Sequence, residues 1–479
     1  VNKDAMIHMA QKENNLEWDE ETDIVVIGSG LAGLAAAIEA KNAGCSVIVL
    51  EKMKGYGGNS TISDGVMAAA GTSMQADAGI EDSPQLMYAD MVKAGLGLNH
   101  PELVHTLTEK SAETFQWTVD YLGVKYLERV DQFGGHSVAR GYTPNNRSGS
   151  AFIRQMLKKL KELGITVRTK AFLQTILKNP EGRVCGVRIR QGYTYPDENS
   201  GALKTINARK AVILTTGGFA NDIDFRTSQD PRLGRDIMST NKYSTTGEAL
   251  REAIRIGAMP VQLSWIQLGP WACPDEKGYG IGPDFASYIA FPYGIIIDPA
   301  TGNRIINELA DRKMRADAIL QKGHPCLAIT DKKGIECSGY QIEHCLKKGV
   351  VKAFRHIDAV ADEYNIPARV LKDTLQTFNT GVEKGIDEAF GKPILPDARP
   401  LRHPPYYTMR VWPKVHHTMG GVLINAKAQV LDLSQKPLNG FYAAGEVTGG
   451  VHGASRLGCC AITDCLVFGR IAGRNAALD

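Results

Sequence analysis

The stretch Thr22–Asn59, TDIVVIGSGLAGLAAAIEAKNAGCSVIVLEKMKGYGGN, decides the fold. Its apolar, β-branched run Ile24–Ile27 predicts a fully buried strand, which leads directly into Gly28-Ser29-Gly30-Leu31-Ala32-Gly33 and an alanine-rich helix. Gly28 permits a tight turn, Gly30 lets the backbone approach a pyrophosphate, and Gly33, beside Ala32, lets the helix sit close on the strand. Amide N–H groups and the positive helix end then face the phosphates. A second strand, Ser46–Leu50, ends in Glu51, about twenty residues past the glycines, where a carboxylate can accept hydrogen bonds from a ribose hydroxyl. A glycine pattern of this kind alone is more often an ordinary turn; strand, helix, second strand and acidic end all in register argue for a dinucleotide. The continuation Lys52 to Asn59, with Gly57-Gly58-Asn59-Ser60-Thr61 directly after the carboxylate, is something an NAD half-domain does not need, and it favours FAD.

A chain of 479 residues is too long for one simple core and predicts two or three domains with room for a large cofactor. A hydrophobic fraction of 43% and a charged fraction of 22% are those of a soluble globular protein. A formal charge of +3 gives no nucleic-acid footprint, and basic runs such as Lys158-Lys159-Leu160-Lys161 read as a solvated helix face. No apolar run reaches membrane-spanning length. The nine cysteines are scattered without zinc or haem-attachment spacing, so no metal site is expected, and their odd number argues for a reducing or anaerobic setting. A first residue Val1 fits a mature exported protein and equally a recombinant one.

Residues 1–21 read as a polar lead-in, and 22–264 as the first part of the FAD-binding domain. Helices are expected between Ser83 and Gly123 and over Ala151–Leu163, and strands over Thr166–Thr169, Phe172–Lys178 and Val184–Gln191, with a turn at Glu181-Gly182. Another buried strand, Lys210–Leu214, ends in Thr215-Thr216-Gly217-Gly218, at the place where open parallel sheets bind ligands. Its distant counterpart is Gly440–Glu446, ending in Gly445-Glu446, followed by a glycine-rich loop and a final helix, Ala461–Ala477. Residues 265–415 change composition, with helices expected over Ile342–Tyr364 and Ala368–Lys384, and read as an inserted α+β capping domain; 416–479 return to the FAD-binding domain. The fold class is thus α/β, a Rossmann-like FAD-binding domain with an inserted lid, whose interface is a natural substrate site.

Taken together, DIVVIGSGLAGLAAAIEA, EKMKGYGGNS, ILTTGGF, NRIINELADR, HHTMGG and GEVTGGVHGASRLG resemble the fumarate-reductase flavoprotein superfamily, and within it the soluble flavocytochrome c fumarate reductases and their urocanate-, acrylate- and methacrylate-type relatives. The resemblance covers about Asp23 to Asp479. It implies FAD, held without a covalent bond because Asn59-Ser60-Thr61 lacks the histidine that membrane-bound members use, and flavin contacts at Gly458, Ala461 and Ile462 in addition to the glycine turns. It also implies reduction of a C=C bond conjugated to a carboxylate. Since these 479 residues hold no haem motif, electrons would come from a separate multihaem c-type cytochrome, or from a portion outside this sequence, in anaerobic respiration and a periplasmic setting.

Such a reduction needs a hydride at the β-carbon, a proton at the α-carbon and positive groups on the carboxylate. By resemblance Arg312 is the proton donor, and His416 and Arg456 hold the carboxylate, with His417 the alternative to His416. On its own sequence context Arg312 reads more simply as an ion-pair partner of Asp311 or Glu308, and an arginine acid would need burial and a relay to reload it. The positions that hold a second carboxylate in dicarboxylate-binding members read Gly269 and Ser287 here, and the relay positions read Tyr288 and Phe291. Trp271, Phe285, Tyr288 and Phe291 make that end of the pocket aromatic, or else belong to the lid core. Cys459-Cys460 read as small flavin-side packing residues, because vicinal disulfides are strained. The expected substrate is therefore a monocarboxylic 2-enoate such as acrylate, methacrylate or an arylacrylate. Fumarate is the runner-up; urocanate reduction and a ketosteroid-type dehydrogenase are further alternatives.

Overall fold

The computed structural model describes residues 17–479, so most of the proposed lead-in lies outside the described residues. The chain divides into two compact units. The first comprises the described residues up to Asp230, Tyr243–Ile266 and His417–Asp479; the second comprises Pro231–Lys242 and Gln267–His416. The segment Pro231–Lys242, which carries no sequence signal for the second unit, joins it through backbone hydrogen bonds: Thr240 N–H donates to Val415 O at 2.9 Å and Val415 N–H to Met238 O at 2.8 Å.

The first unit is built on an eight-stranded sheet. Strand β1 (Glu20–Ile27) lies parallel to β2 (Val47–Leu50), with Ile24 opposite Val47, and to the end of a long strand whose Val212 lies opposite Val25. Ile24, Val25 and Val26 are fully buried, as a parallel strand covered on both faces must be. β1 starts at Glu20, so the last residues of the expected lead-in already belong to the sheet. Strands β3 (Thr166–Arg168), β4 (Ala171–Lys178) and β5 (Val184–Gln191) follow the expected order. Strand β6 runs over Ala202–Leu214, eight residues earlier than its apolar end suggested. Its first half is polar and exposed on one side, and is held by antiparallel pairing with β5, Gly186 opposite Asn207; only its second half, parallel to β1 and to Pro437–Ala443, is a buried run.

Helix α1 (Leu31–Asn42) is buried from Leu31 through Ala40. It packs on the final helix, Cys460–Ala476, where a Cβ on Gly469 would lie 2.5 Å from Ala32 O and one on Gly473 2.2 Å from Ala36 O. Two glycines one turn apart thus let alanine backbone and glycine backbone touch. That contact sets α1, and with it the glycine turn at its start.

The second unit holds a four-stranded antiparallel sheet formed by Ile295–Ile297, Cys326–Asp331, Tyr406–Val411 and Lys352–Phe354, in that spatial order. The expected helix Ile342–Tyr364 is instead two helices, Glu343–Lys347 and Ile357–Tyr364, with the edge strand Lys352–Phe354 between them. Gly349, at φ 72°, ends the first helix in a left-handed turn, and the pairing of Lys352–Phe354 with Tyr406–Thr408 fixes the strand. Ala368–Lys384 is one helix as its periodicity predicts, closed by Gly385 at φ 73°. Among the described residues no helix is long and apolar enough to cross a membrane.

Candidate active site

In the first unit the glycine turn, the end of β2 and the loop at 58–60 surround a cavity of about 980 Å³. Gly28, Gly30 and Ala32 line it together with Glu51, Lys52, Gly58, Asn59 and Ser60; Thr216, Gly217, Gly445 and Glu446 close it from the other strand ends. The turn tolerates no side chain. Gly28 has φ +107° with a Cβ position 2.3 Å from Thr215 O, and a Cβ on Gly33 would lie 2.0 Å from Gly28 O. The N-cap of helix α1, Gly30, supplies no side chain and the first turn no acidic residue; Ser60 Oγ accepts only from the Leu31 N–H, at 3.2 Å, so the positive end stays open to an anion. The Glu51 carboxylate at the cavity wall accepts from Ser29 Oγ at 2.6 Å and from Met53 N–H at 2.9 Å. These bonds fix its orientation while its remaining lone pairs stay available for a ribose.

Further contacts brace this wall. Gly57, at φ +85°, donates its N–H to Ser29 Oγ at 3.0 Å. The Lys52 ammonium bonds Thr246 Oγ1 at 2.7 Å and pairs with Glu248 at 3.3 Å, which ties the 246–248 segment to the end of β2. A Cβ on Gly218 would meet Thr418 Oγ1 at 2.1 Å and Glu446 Oε1 at 2.4 Å. The Gly458 carbonyl bonds His136 Nε2 at 2.8 Å. His136 leads to Arg140, a fully buried guanidinium held by Asp82 at 2.8 Å and Asp90 at 2.7 Å. This buried ion network, which composition alone does not reveal, anchors the loop that carries Cys459 at φ +64° and the helix start at Cys460, Ala461 and Ile462. Arg456, 5% exposed, donates from Nη1 to Leu457 O at 3.1 Å.

Adjacent positions in the strand Lys414–Thr418 point to opposite sides, and His416 and His417 separate accordingly. His417 Nδ1 lies 3.6 Å from Glu446 Oε2 in the first unit. Glu446 accepts from Thr418 N–H at 2.9 Å, and burial pushes its carboxyl up to about 7. His416 belongs to the second unit: its Nδ1 is 2.8 Å from Thr240 Oγ1, and its ring lies edge-on to Trp271 with centroids 5.0 Å apart. Tyr279, 6.3 Å from the same ring, completes an aromatic wall, held by Lys414, whose Nζ bonds Glu276 O at 2.5 Å and Gly278 O at 3.1 Å. Thr240 and Tyr279 carry no sequence signal; only chain return across the unit brings them to His416.

Arg312 begins the helix Arg312–Leu320, and its guanidinium carbon lies 4.6 Å over the Trp271 ring. The ion pair its neighbours suggest does not form. Asp311 caps the helix through Lys313 N–H at 2.8 Å, and Glu308 is fully buried and taken by Arg304 at 2.7 Å and Lys392 at 3.4 Å. Arg312 Nη1 and Trp271 Nε1 are buried without a hydrogen-bond partner among the described residues. One turn on, on the same helix face, Arg315 lies over Phe291 at 5.0 Å and donates to Glu308 O at 3.2 Å. Burial first, then the Arg312 charge, pulls Arg315 down to about 10. A Cβ on Gly269 would be 3.2 Å from the Trp271 ring. Ser287 and Tyr288 sit in a π-helical turn, Ala286–Ala290, with Tyr288 stacked on Tyr340 at 4.7 Å. Phe285 and Phe291 are core residues, at 0% and 1% exposure, and Trp271, at 4%, belongs to the same cluster with Tyr288 packed against it.

The chain matches the FAD binding domain family over residues 23–462. It is 41% identical over 473 residues to the acrylate reductase flavoprotein subunit of Shewanella woodyi, covering 97% of this chain and 93% of that one. It is 36% identical over 465 residues to a probable fumarate reductase of Shewanella frigidimarina, covering 96% and 75%. The open conformation of a flavocytochrome c3 fumarate reductase superposes with a TM-score of 0.80 at 34% identity, over 100% of this chain and 81% of that one. With an uncapped helix end and a side-chain-free turn facing a cavity fit for a dinucleotide, the chain belongs to the FAD binding domain family and is an FAD-dependent oxidoreductase acting on CH–CH bonds, of the fumarate-reductase flavoprotein type.

Proposed function

We propose that the chain reduces the C=C bond of a 2-enoate that bears one carboxylate, with acrylate-like compounds as the substrate class. The observation that carries this reading is Arg312: a guanidinium over Trp271 with a buried, unpartnered Nη1 and no carboxylate within ion-pair distance among the described residues. A cation left without a counter-charge in a folded protein serves an anionic ligand or a proton transfer better than it serves stability. In this reading Arg312 delivers the proton to the α-carbon, and Arg456 and His416 hold the carboxylate and stabilise charge developing on it. The Thr240 hydroxyl at His416 Nδ1 fixes the imidazole orientation. FAD, when bound non-covalently in the glycine-lined cavity, supplies the hydride equivalent.

Trp271, Tyr288, Gly269 and Ser287 place no charge where a second carboxylate would need one, which favours a monocarboxylic substrate. The relative from Shewanella woodyi, by its name an acrylate reductase flavoprotein subunit, supports the same choice. Fumarate is kept as a second reading because Arg315 adds a cation on the helix face of Arg312. The electron donor proposed is a separate c-type cytochrome in a periplasm-like compartment; turnover with NADH or NADPH at the rate given by reduced viologen would exclude it. The substrate is tested by kcat/KM for acrylate, methacrylate, cinnamate, urocanate and fumarate with dye-reduced protein. Fumarate should trail the best monocarboxylate by about 2–5 kcal/mol, the cost of an unpaired buried carboxylate; fumarate leading by a wide margin would overturn the monocarboxylate reading.

A further inference from the structure

Four titratable side chains of the first unit, three of them without a role above, form a continuous buried line that ends at the cofactor cavity. Asp464, on the final helix, lies 3.3 Å from His452 Nε2. The His452 and His417 rings meet edge to face with centroids 5.5 Å apart, and His417 Nδ1 lies 3.6 Å from Glu446 Oε2. Glu446 is a wall residue of the cavity. His417, His452 and Asp464 are 5%, 4% and 2% exposed. Yet His452 Nδ1 and Asp464 Oδ1 are buried with no hydrogen-bond partner among the described residues. A line of two carboxylates and two imidazoles that leaves a ring nitrogen and a carboxylate oxygen unsatisfied is poorly explained as a structural network, since each such atom costs stability. It is well suited to gaining and losing a proton, because several sites a few ångströms apart can share it.

The charged and titratable groups that face this line are few. Arg456, in the loop before the final helix, favours the Glu446 carboxylate, and the Asp464 charge opposes it. Thr418 donates to Glu446 from its N–H at 2.9 Å and its hydroxyl at 3.2 Å. The Cys465 thiol is pushed up by burial and by the charges of Asp464 and Glu446, so it stays protonated. The Glu446 carboxyl, raised to about 7 by burial and by the Asp464 charge against Thr418 and Arg456, is already poised to take a proton near neutrality. Any further negative charge placed in the cavity must raise the proton affinity of the line.

We propose that Glu446, His417, His452 and Asp464 form a proton-accepting array that takes up one proton when the FAD bound beside it is reduced. The balance is simple. The flavin takes two electrons and one proton, the array takes the second proton from solvent, and reoxidation returns that proton to water, so each electron pair moves with two protons. The proposal rests on FAD binding alone and holds for any enoate.

The test uses the FAD-loaded protein, with the flavin content of each sample measured first by its visible spectrum. Anaerobic photoreduction in weak buffer with a pH indicator counts protons taken up per electron pair between pH 7 and 8.5. Potentiometric titration over the same range gives a slope of 29.6 mV per pH unit for each proton coupled to the two-electron step. Wild-type protein is expected to take two protons per electron pair. His452→Gln and Asp464→Asn, neither of which lines the cavity, are expected to halve the slope while still holding FAD. One proton per pair in the wild type, or an unchanged count in both variants, overturns the proposal. A sample that lacks flavin is a failure of cofactor binding and is recognised as such before the count is made.

Discussion

Arg312→Ala should abolish enoate reduction while leaving the protein folded and the substrate bound. The stability cost can be worked from what Arg312 touches. Its guanidinium makes one cation–π contact with Trp271 and no ion pair among the described residues. Truncation therefore forfeits about 0.5–2 kcal/mol and strands no buried carboxylate. The helix start survives, because its cap runs from Asp311 Oδ1 to Lys313 N–H and not through residue 312. The kinetic cost is set by loss of a positioned acid, on the order of 10²–10⁴ in kcat, or about 3–5 kcal/mol of transition-state stabilisation. The two figures separate cleanly in an assay that measures the melting temperature, the enoate dissociation constant from flavin absorbance changes, and kcat with reduced viologen. Arg312→Lys keeps the charge but loses the planar fork, so recovery should be slight. Arg456→Ala should do the reverse of Arg312→Ala, weakening enoate binding most. Near-normal turnover in Arg312→Ala would remove the assigned acid, and a large loss of stability with it would mean that the guanidinium is a structural element after all.

Arg315 gives a prediction with a pH signature. Its folded value of about 10 lies below the ordinary 12.5, so the unfolded chain binds the proton more tightly. The resulting penalty is fully present below about pH 10 and fades as pH rises toward the unfolded value. This desolvation penalty opposes the hydrogen bond to Glu308 O and the Phe291 contact, so Arg315→Met should raise stability at pH 7. A lowered melting temperature at pH 7 would refute this. Gly473→Ala should destabilise by about 1–3 kcal/mol, against the gain a helix ordinarily makes from that exchange, because the new methyl would meet Ala36 O; equilibrium unfolding in urea checks it. Acid precipitation should release all flavin into the supernatant, since Asn59-Ser60-Thr61 offers no histidine; yellow colour left in the pellet would show a covalent bond.

The glycine turn, the two strands beside it and the carboxylate at Glu51 were legible because each is a local consequence of residue type. A β-branched run must be buried, and glycine alone fits φ +107° at residue 28. Local signals failed where pairing decided the conformation. The polar half of β6 is a strand only because β5 lies beside it, and Lys352–Phe354 is a strand only because Tyr406–Thr408 is there to take its hydrogen bonds. The same holds for the candidate site. Arg312 and His416 could be named from short motifs, whereas Thr240, Tyr279 and Arg315 could not, since none stands in a pattern that marks it. Nor could sequence tell that Trp271, Phe285 and Phe291 share one buried cluster while Tyr288 packs at its edge against Tyr340, because four aromatics in one segment look alike.

By itself the sequence determined the cofactor class and the strands and glycine turns that frame it, because these follow from steric and chemical constraints within a few residues, whereas the cations for a carboxylate were named only through the family resemblance. Only the tertiary structure decided that Arg312 has no carboxylate partner among the described residues, that His416 and His417 serve different units, and that His417, His452, Asp464 and Glu446 stand in one buried line. Whether a charge is paired depends on which distant segments return to it, and that is a property of the packed chain rather than of any stretch within it.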